Sequence, residues 1–221
     1  TDPNLANRRS YFPRGRALGG SSSINAMLYI RGHPTDYDDW AKHSADDRWA
    51  YKNVLPIFRQ MERNSRGESE AHGGSGPLSV TDPSPKLVNL PLNVSFSEAC
   101  KELSLPYTDD FNNVRTTEGY GVYQSTITPQ GRRCNAARAF LYPTLEECSN
   151  LSVATNTAAV KLLYDPDKKK VTGVRVCERS DNGKLSDDYI DIHVTQEVIL
   201  SMGVFQTPQL LNLSGIGDPA E

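Results

Sequence analysis

The chain has 221 residues, enough for one large domain or two small ones at roughly 150 residues per domain. Its 24 Lys+Arg against 27 Asp+Glu leave a formal charge of −3, with no basic excess to neutralise phosphates, which argues against nucleic acid as a partner. Hydrophobic residues make up 37%, a lean core, and the longest apolar run, Ala26 to Ile30, spans five residues against the roughly 20 that a membrane helix needs, so no transmembrane segment is expected.

In chain order, Gly19 and Gly20 break regular structure and Ser21 to Ser23 can cap the next segment, so a turn feeding a small-residue helix is expected. "HPTDYDDWAK" reads as a helix with Thr35 as N-cap and Asp38 completing a capping box. Val54, Leu55, Ile57, Phe58 and Met61 fall at helical spacing over 51–62, with Pro56 kinking or starting that helix. The polar, glycine-rich stretch 64–76 reads as a surface loop or a crossing between subdomains. "PLSV" comes next as a short strand, then Leu92, Phe96, Ala99, Cys100 and Leu103 fall on one side of a helix beginning near Asn93. Residues 119–128 alternate as a strand, and 135–147 read as a helix stopped or bent near Pro143.

The last third is strand-rich: "LSVAT", "AAVKLLYD", "KVTGVRVCER", "YIDIHV" and "EVILS", with turns at Asp165-Pro166 and Asn182-Gly183. Val198, Ile199 and Leu200 form the continuous apolar run expected of a strand covered on both faces. Gly203 ends it; Thr207 is the expected cap, Pro208 the first helical turn and Gly215 the close of a final helix. Cys100, Cys134, Cys148 and Cys177 share no C-x-x-C, so they read as buried small hydrophobes rather than a zinc site. Three N-x-S sequons, at Asn93, Asn150 and Asn212, together with the even cysteine count, lean towards a secretory or extracellular route.

Two places offer a backbone that can cradle an anion. At Gly19-Gly20-Ser21-Ser22 the missing side chains let main chain approach a ligand closely. At Ser201-Met202-Gly203, between a strand and a helix, the pattern is that of the crevice where open α/β sheets hold nucleotides. A tight structural turn would have the same composition at either place.

"YFPRGRALGGSSSINAMLYIRGHPTDYDDW" closely resembles the first signature of the glucose-methanol-choline (GMC) family of FAD-dependent oxidoreductases, and "GVFQTPQLLNLSGIG" resembles its second. "GRRCNAARAFLYP", "NLSVATNTAAVKLL" and "EVILSMG" also look like that family. The resemblance implies an α/β fold: part of an FAD-binding Rossmann-like domain over 1–64 and 131–221, and part of an antiparallel-sheet substrate domain over 65–130. It implies that Leu18, Gly19, Gly20 and Ser22 lie along the FAD pyrophosphate, with Asn25, Ala26, Met27 and Leu28 beside the flavin ring. Ala159 matches the position whose main chain contacts the adenine, and Gly203 would sit near the ribose and pyrophosphate, although Met202 stands where the family has a small residue. Some members bond the flavin covalently to a histidine one position before Asn25; here that residue is Ile24, so non-covalent FAD is expected.

This sequence departs from the family's pattern in two respects. No G-x-G-x-x-G occurs, and His33, His43, His72 and His193 do not match the catalytic positions, so they read as solvated or structural and no catalytic residue is expected here. The chain is therefore expected to be an internal segment, inactive alone, of an enzyme that passes hydride from a small-molecule alcohol to flavin N5 and is reoxidised by oxygen or another acceptor. The family also includes hydroxynitrile lyases and photodecarboxylases, and a non-catalytic truncated binding chain is the remaining alternative.

Overall fold

The computed structural model describes residues 3–113 and 118–218. It is mixed α/β and divides into two compact units, Thr1–Leu151 and Ser152–Glu221. In the first unit, helices α1 (Pro34–Ser44), α2 (Tyr51–Met61), α3 (Pro85–Val88), α4 (Pro91–Glu102) and α5 (Tyr142–Glu147) accompany four short strands: β1 (Leu28–Tyr29), β2 (Glu62–Asn64), β3 (Leu78–Val80) and β4 (Gln124–Ser125). β1 pairs antiparallel with β4, Leu28 opposite Ser125, while β2 pairs parallel with β3, Glu62 opposite Leu78. In the second unit β5 (Thr157–Asp165), β6 (Lys170–Arg179) and β7 (Leu185–His193) form an antiparallel sheet in that order, followed by α6 (Gly203–Leu213).

Several elements obey their sequence patterns closely. α2 buries Val54 and carries Pro56 within it; β6 coincides with the predicted strand, and the turns after Asp165 and around Asn182 close its two hairpins. Cys100, Cys134 and Cys177 are buried, and all four cysteines are unpaired thiols. The helix over 135–147 begins with a π-helical turn, Ala137–Leu141, which places Ala137 and Ala139 in the core before α5 takes over with Pro143 in its first turn.

Elsewhere tertiary context overrides the local pattern. Gly20–Ser23 is a four-residue 3₁₀ turn rather than the start of a longer helix, because the chain bends out of it to lay β1 against β4. The α1 cap lies two residues upstream of the expected one: His33 Nδ1 accepts from Thr35 N, Asp36 accepts from His33 N, and Pro34 occupies the first turn. The alternating stretch 119–128 forms only the two-residue β4, since its ladder partner β1 is itself two residues long. "LSVAT" and "EVILS" form no strand: neither finds a ladder partner among the described residues, and Ile199 is 77% exposed. α6 starts at Gly203 itself, which puts Pro208 inside the helix rather than in its first turn.

In the second unit α6 packs on the sheet through buried Leu210, with Leu162 and Cys177 buried in the sheet. Ser214 Oγ accepts from Leu162 N at 2.8 Å, tying the end of the helix to β5. Gly173 of β6 pairs with His193 of β7 and leaves no room for a side chain: a Cβ there would lie 2.3 Å from Ile192 O. Gly173→Ala is therefore expected to lower stability by about 2 kcal/mol through overpacking, read as a fall in denaturation midpoint; an unchanged midpoint would contradict this role for Gly173.

Candidate functional site

The turn at 19–23 is shaped by glycine conformation and serine hydroxyls. Gly19 and Gly20 have φ of 91° and 54°, the left-handed region that side chains disfavour. Their surroundings differ. A Cβ on Gly19 would lie 2.7 Å from Ser23 Oγ and 3.0 Å from the Asn135 carboxamide, whereas a Cβ on Gly20 would meet no atom within 4 Å. Gly19 thus packs against its own scaffold, and the side of Gly20 where a Cβ would stand faces open space, while its N–H donates to Ala17 O at 2.8 Å. Ser22 Oγ donates to Gly19 O and accepts from Ala136 N at 2.9 Å, while Ser23 Oγ donates to Leu18 O and accepts from Asn135 Nδ2, both at 2.9 Å.

Beyond the turn, Asn25 Oδ1 accepts from Met27 N at 3.0 Å, and Met27 adopts φ 63°, unusual for a residue with a side chain. Met27 O then accepts from Thr126 N, leading the chain into β1. Leu18, Ile24 and Leu28 are 39%, 53% and 56% exposed, and Ala26 is exposed, so four apolar side chains of this segment reach the surface. A cleft of about 330 Å³ opens next to Gly19, lined by Ala136, Ala137, Phe140, Leu141 and Thr144. Backbone that can reach an anion, together with apolar surface that can cover a flat ring, suits a dinucleotide carrying an aromatic system.

Leu18, Gly19, Gly20, Ser22, Asn25, Ala26, Met27 and Leu28 are thus gathered in one continuous segment of the first unit. Ala159 and Gly203 belong to the second unit. Ala159 is half-buried in β5 opposite Val176, immediately before a register shift in the ladder. Gly203, at φ 86°, opens α6, and the N-cap residue before it, Met202, makes no side-chain capping bond. His33 caps α1, and His43 Nδ1 lies 2.7 Å from Asp39 O within the same helix.

A family model described as GMC oxidoreductase matches residues 3–221. The chain belongs to the GMC oxidoreductase family. It is 39% identical over 219 residues to an oxygen-dependent choline dehydrogenase of Ectopseudomonas mendocina (strain ymp), a match covering 99% of this chain and 37% of that protein. Among solved structures, pyridoxine 4-oxidase from Mesorbium loti superposes with a TM-score of 0.79 at 30% identity, covering 92% of this chain and 37% of that one. An FAD-dependent oxidoreductase from Chaetomium thermophilum does so with a TM-score of 0.79 at 25% identity, covering 92% and 35%. The GMC chain thus spans about a third of the length of the proteins it matches.

One constellation in this GMC chain has no signature in the sequence. The polar stretch 64–76 is not a solvated loop throughout: Ala71 and His72 are buried in it. Glu62 is fully buried and accepts from Arg31 NH2 at 2.6 Å, from Asn64 Nδ2 at 2.9 Å and from Gly73 N at 3.2 Å, with His72 Nδ1 2.9 Å away. His72 Nε2 lies 2.8 Å from Asp110 Oδ2, so the ring is held between two carboxylates. Arg31 also donates to Ala71 O and stacks 5.2 Å over the Phe58 ring. A lone His followed by two glycines carries no pattern from which partners 10 and 38 residues away can be read; only the helix ending at Met61 hinted that Glu62 leaves a core.

Burial works against charge on His72, but the hydrogen bonds and charges of Asp110 and Glu62 outweigh it and raise the imidazole to about 9. Burial likewise opposes ionisation of Glu62 and Asp110, yet bonds from His72 hold both carboxyls below their usual range, with Asn64 and Arg31 helping at Glu62. Because the folded value of His72 lies above the unfolded one of 6.5, its contribution is complete below pH 6.5 and is lost as pH rises towards 9. The carboxylates' contributions are lost in the opposite direction, as pH falls through their lowered values. Denaturant unfolding is expected to show on the order of 3 kcal/mol less stability from this source at high pH, with the alkaline loss removed in His72→Gln. Equal alkaline loss in parent and variant would refute the assignment.

Proposed function

We propose that this chain supplies FAD-binding segments of a flavin-dependent oxidoreductase that acts on the CH–OH group of a small-molecule alcohol. The observation that carries the reading is the turn at Gly19 and Gly20, with its open backbone at Gly20, in a chain of the GMC family. The relatives' names support the redox class: a choline dehydrogenase, a pyridoxine 4-oxidase and an FAD-dependent oxidoreductase.

The residues fit the group. An FAD pyrophosphate needs backbone it can approach without an intervening side chain, which Gly20 offers, its own N–H being bonded to Ala17 O; its ring needs apolar cover, which Ala26 and Leu28 offer at their exposed positions. When bound, FAD supplies the hydride acceptor for alcohol oxidation. The chain's own part is to hold and orient the cofactor: Ser22 and Ser23 fix the turn, Asn25 fixes Met27, and β1 anchors the segment to β4. Ala159 and Gly203 are proposed to contribute main-chain contacts to the adenine and ribose side. Ile24 carries no nucleophile with which to bond the flavin, so the cofactor is proposed to be non-covalent. None of the four histidines is proposed as the catalytic base.

The test is titration of flavin-free protein, expressed from its complete gene, with FAD. Gly20→Ala places a methyl on the open side of the turn and strains φ by about 1–2 kcal/mol. It is expected to weaken FAD binding about tenfold or more while leaving the flavin-free protein folded. Parent-like affinity in this variant would refute the proposed contact.

A further inference from the structure

The segment after the serine turn is held by a guanidinium from more than a hundred residues further along the chain. Residues 24–27 form no regular element, and Asn25 and Ala26 are exposed. They are nevertheless fixed. Arg133 NH1 donates to Ser22 O at 3.1 Å, to Asn25 O at 2.8 Å and to Asn25 Oδ1 at 2.8 Å. The same Asn25 Oδ1 accepts from Met27 N and so holds Met27 in its left-handed conformation.

The main chain around Arg133 is registered against this segment as well. Cys134 N donates to Thr126 O, and Thr126 N donates to Met27 O, while Ile127 and Arg133 form an isolated antiparallel bridge. Next along, Asn135 Nδ2 and Ala136 N bond Ser23 Oγ and Ser22 Oγ, and Asn135 Oδ1 accepts from Arg138 N as the π-helical turn begins. Residues 133–136 therefore act as a template for 22–27, with the guanidinium as its only charged contact among these bonds.

The direction of these bonds matters. In a trans peptide the carbonyl of one residue and the N–H of the next point opposite ways, and no described peptide is cis. With the carbonyls of Ser22 and Asn25 drawn to Arg133, the N–H groups of Ser23 and Ala26 are aimed away from it. Ala26 N–H is thereby turned to the opposite side of a segment whose side chains there are exposed.

We infer that Arg133 is a positioning residue for the flavin: it draws two carbonyls and one carboxamide oxygen to one side of the segment and so presents the opposite backbone edge, including Ala26 N–H, to the ring. This rests on the reading that FAD binds at residues 18–28. Arg133 touches the segment and not the cofactor, so its effect is on where the ring sits.

The experiment compares Arg133→Met with Arg132→Met in protein expressed from its complete gene; Arg132 is exposed and adjacent, so the second variant removes the same charge without removing the three bonds. FAD affinity and the visible circular dichroism of the flavin at saturating FAD are both measured. Arg133→Met is expected to weaken FAD about tenfold or more and to change the flavin dichroism, while Arg132→Met stays within about twofold of the parent with an unchanged spectrum. If Arg133→Met does not fold, Arg133→Gln, which keeps one donor, is read by the same two signals. Parent-like affinity and dichroism in the Arg133 variant, or equal weakening in both variants, would overturn the inference. A parent protein that takes up no FAD would instead overturn the cofactor reading on which it rests.

Discussion

The first unit is organised around one fully buried carboxylate, Glu62. A charge in such a place is tolerated only if it is surrounded by donors, and the donors come from separate stretches of chain: Arg31 after β1, Asn64 on β2, and His72 with Gly73 from the loop between β2 and β3. Asn64 passes the network on to Gln124 of β4, and His72 passes it on to Asp110. Strands of two or three residues cannot hold themselves together; here they are held by side chains that meet at a single ion. Among the described residues no buried side-chain nitrogen or oxygen lacks a partner, so the network is closed rather than half satisfied.

This constraint reaches the proposed cofactor segment through its C-terminal end. Tyr29 lies in β1, and its carbonyl accepts from Asn112 Nδ2, while Asn112 Oδ1 accepts from Arg31 N at 2.7 Å. The segment from Leu18 to Leu28 is thus fixed at one end by the serine turn against residues 133–136 and at the other by β1 and the Glu62 cluster. Between these anchors the backbone visits the left-handed region at Gly19, Gly20 and Met27. At Met27, which carries a side chain, such a conformation persists only where the surroundings over-determine it, and the Asn25 carboxamide, itself bonded by Arg133, supplies that determination.

The features legible in the sequence were mostly local. Helix α2 and the β5–β6–β7 meander arise from side-chain periodicity and turn residues, three of the four cysteines are buried as small hydrophobes, and the glycines at 19 and 20 mark a break in regular structure. The GMC resemblance carried the family, which the family model and relatives confirm. The features that were not legible depend on distant partners. Glu62 and His72 sit in a polar stretch that looks solvated, and only contacts to Arg31, Asp110 and Gln124 make it a core. Val198 to Leu200 has the composition of a covered strand, but composition cannot supply the ladder partner that a strand requires. The α1 cap lies two residues before the threonine that the sequence pattern favours, because an imidazole accepts the bond usually made by a hydroxyl or carboxylate.

The functional reading stands on this segment taking part in holding FAD without a covalent bond, since position 24 is isoleucine rather than a nucleophile. It is tested by the visible absorption spectrum of the protein expressed from its complete gene, taken before and after acid precipitation. Flavin bands are expected in the intact protein and are expected to pass into the supernatant when it is precipitated. A colourless protein, or flavin that stays with the pellet, would contradict that reading.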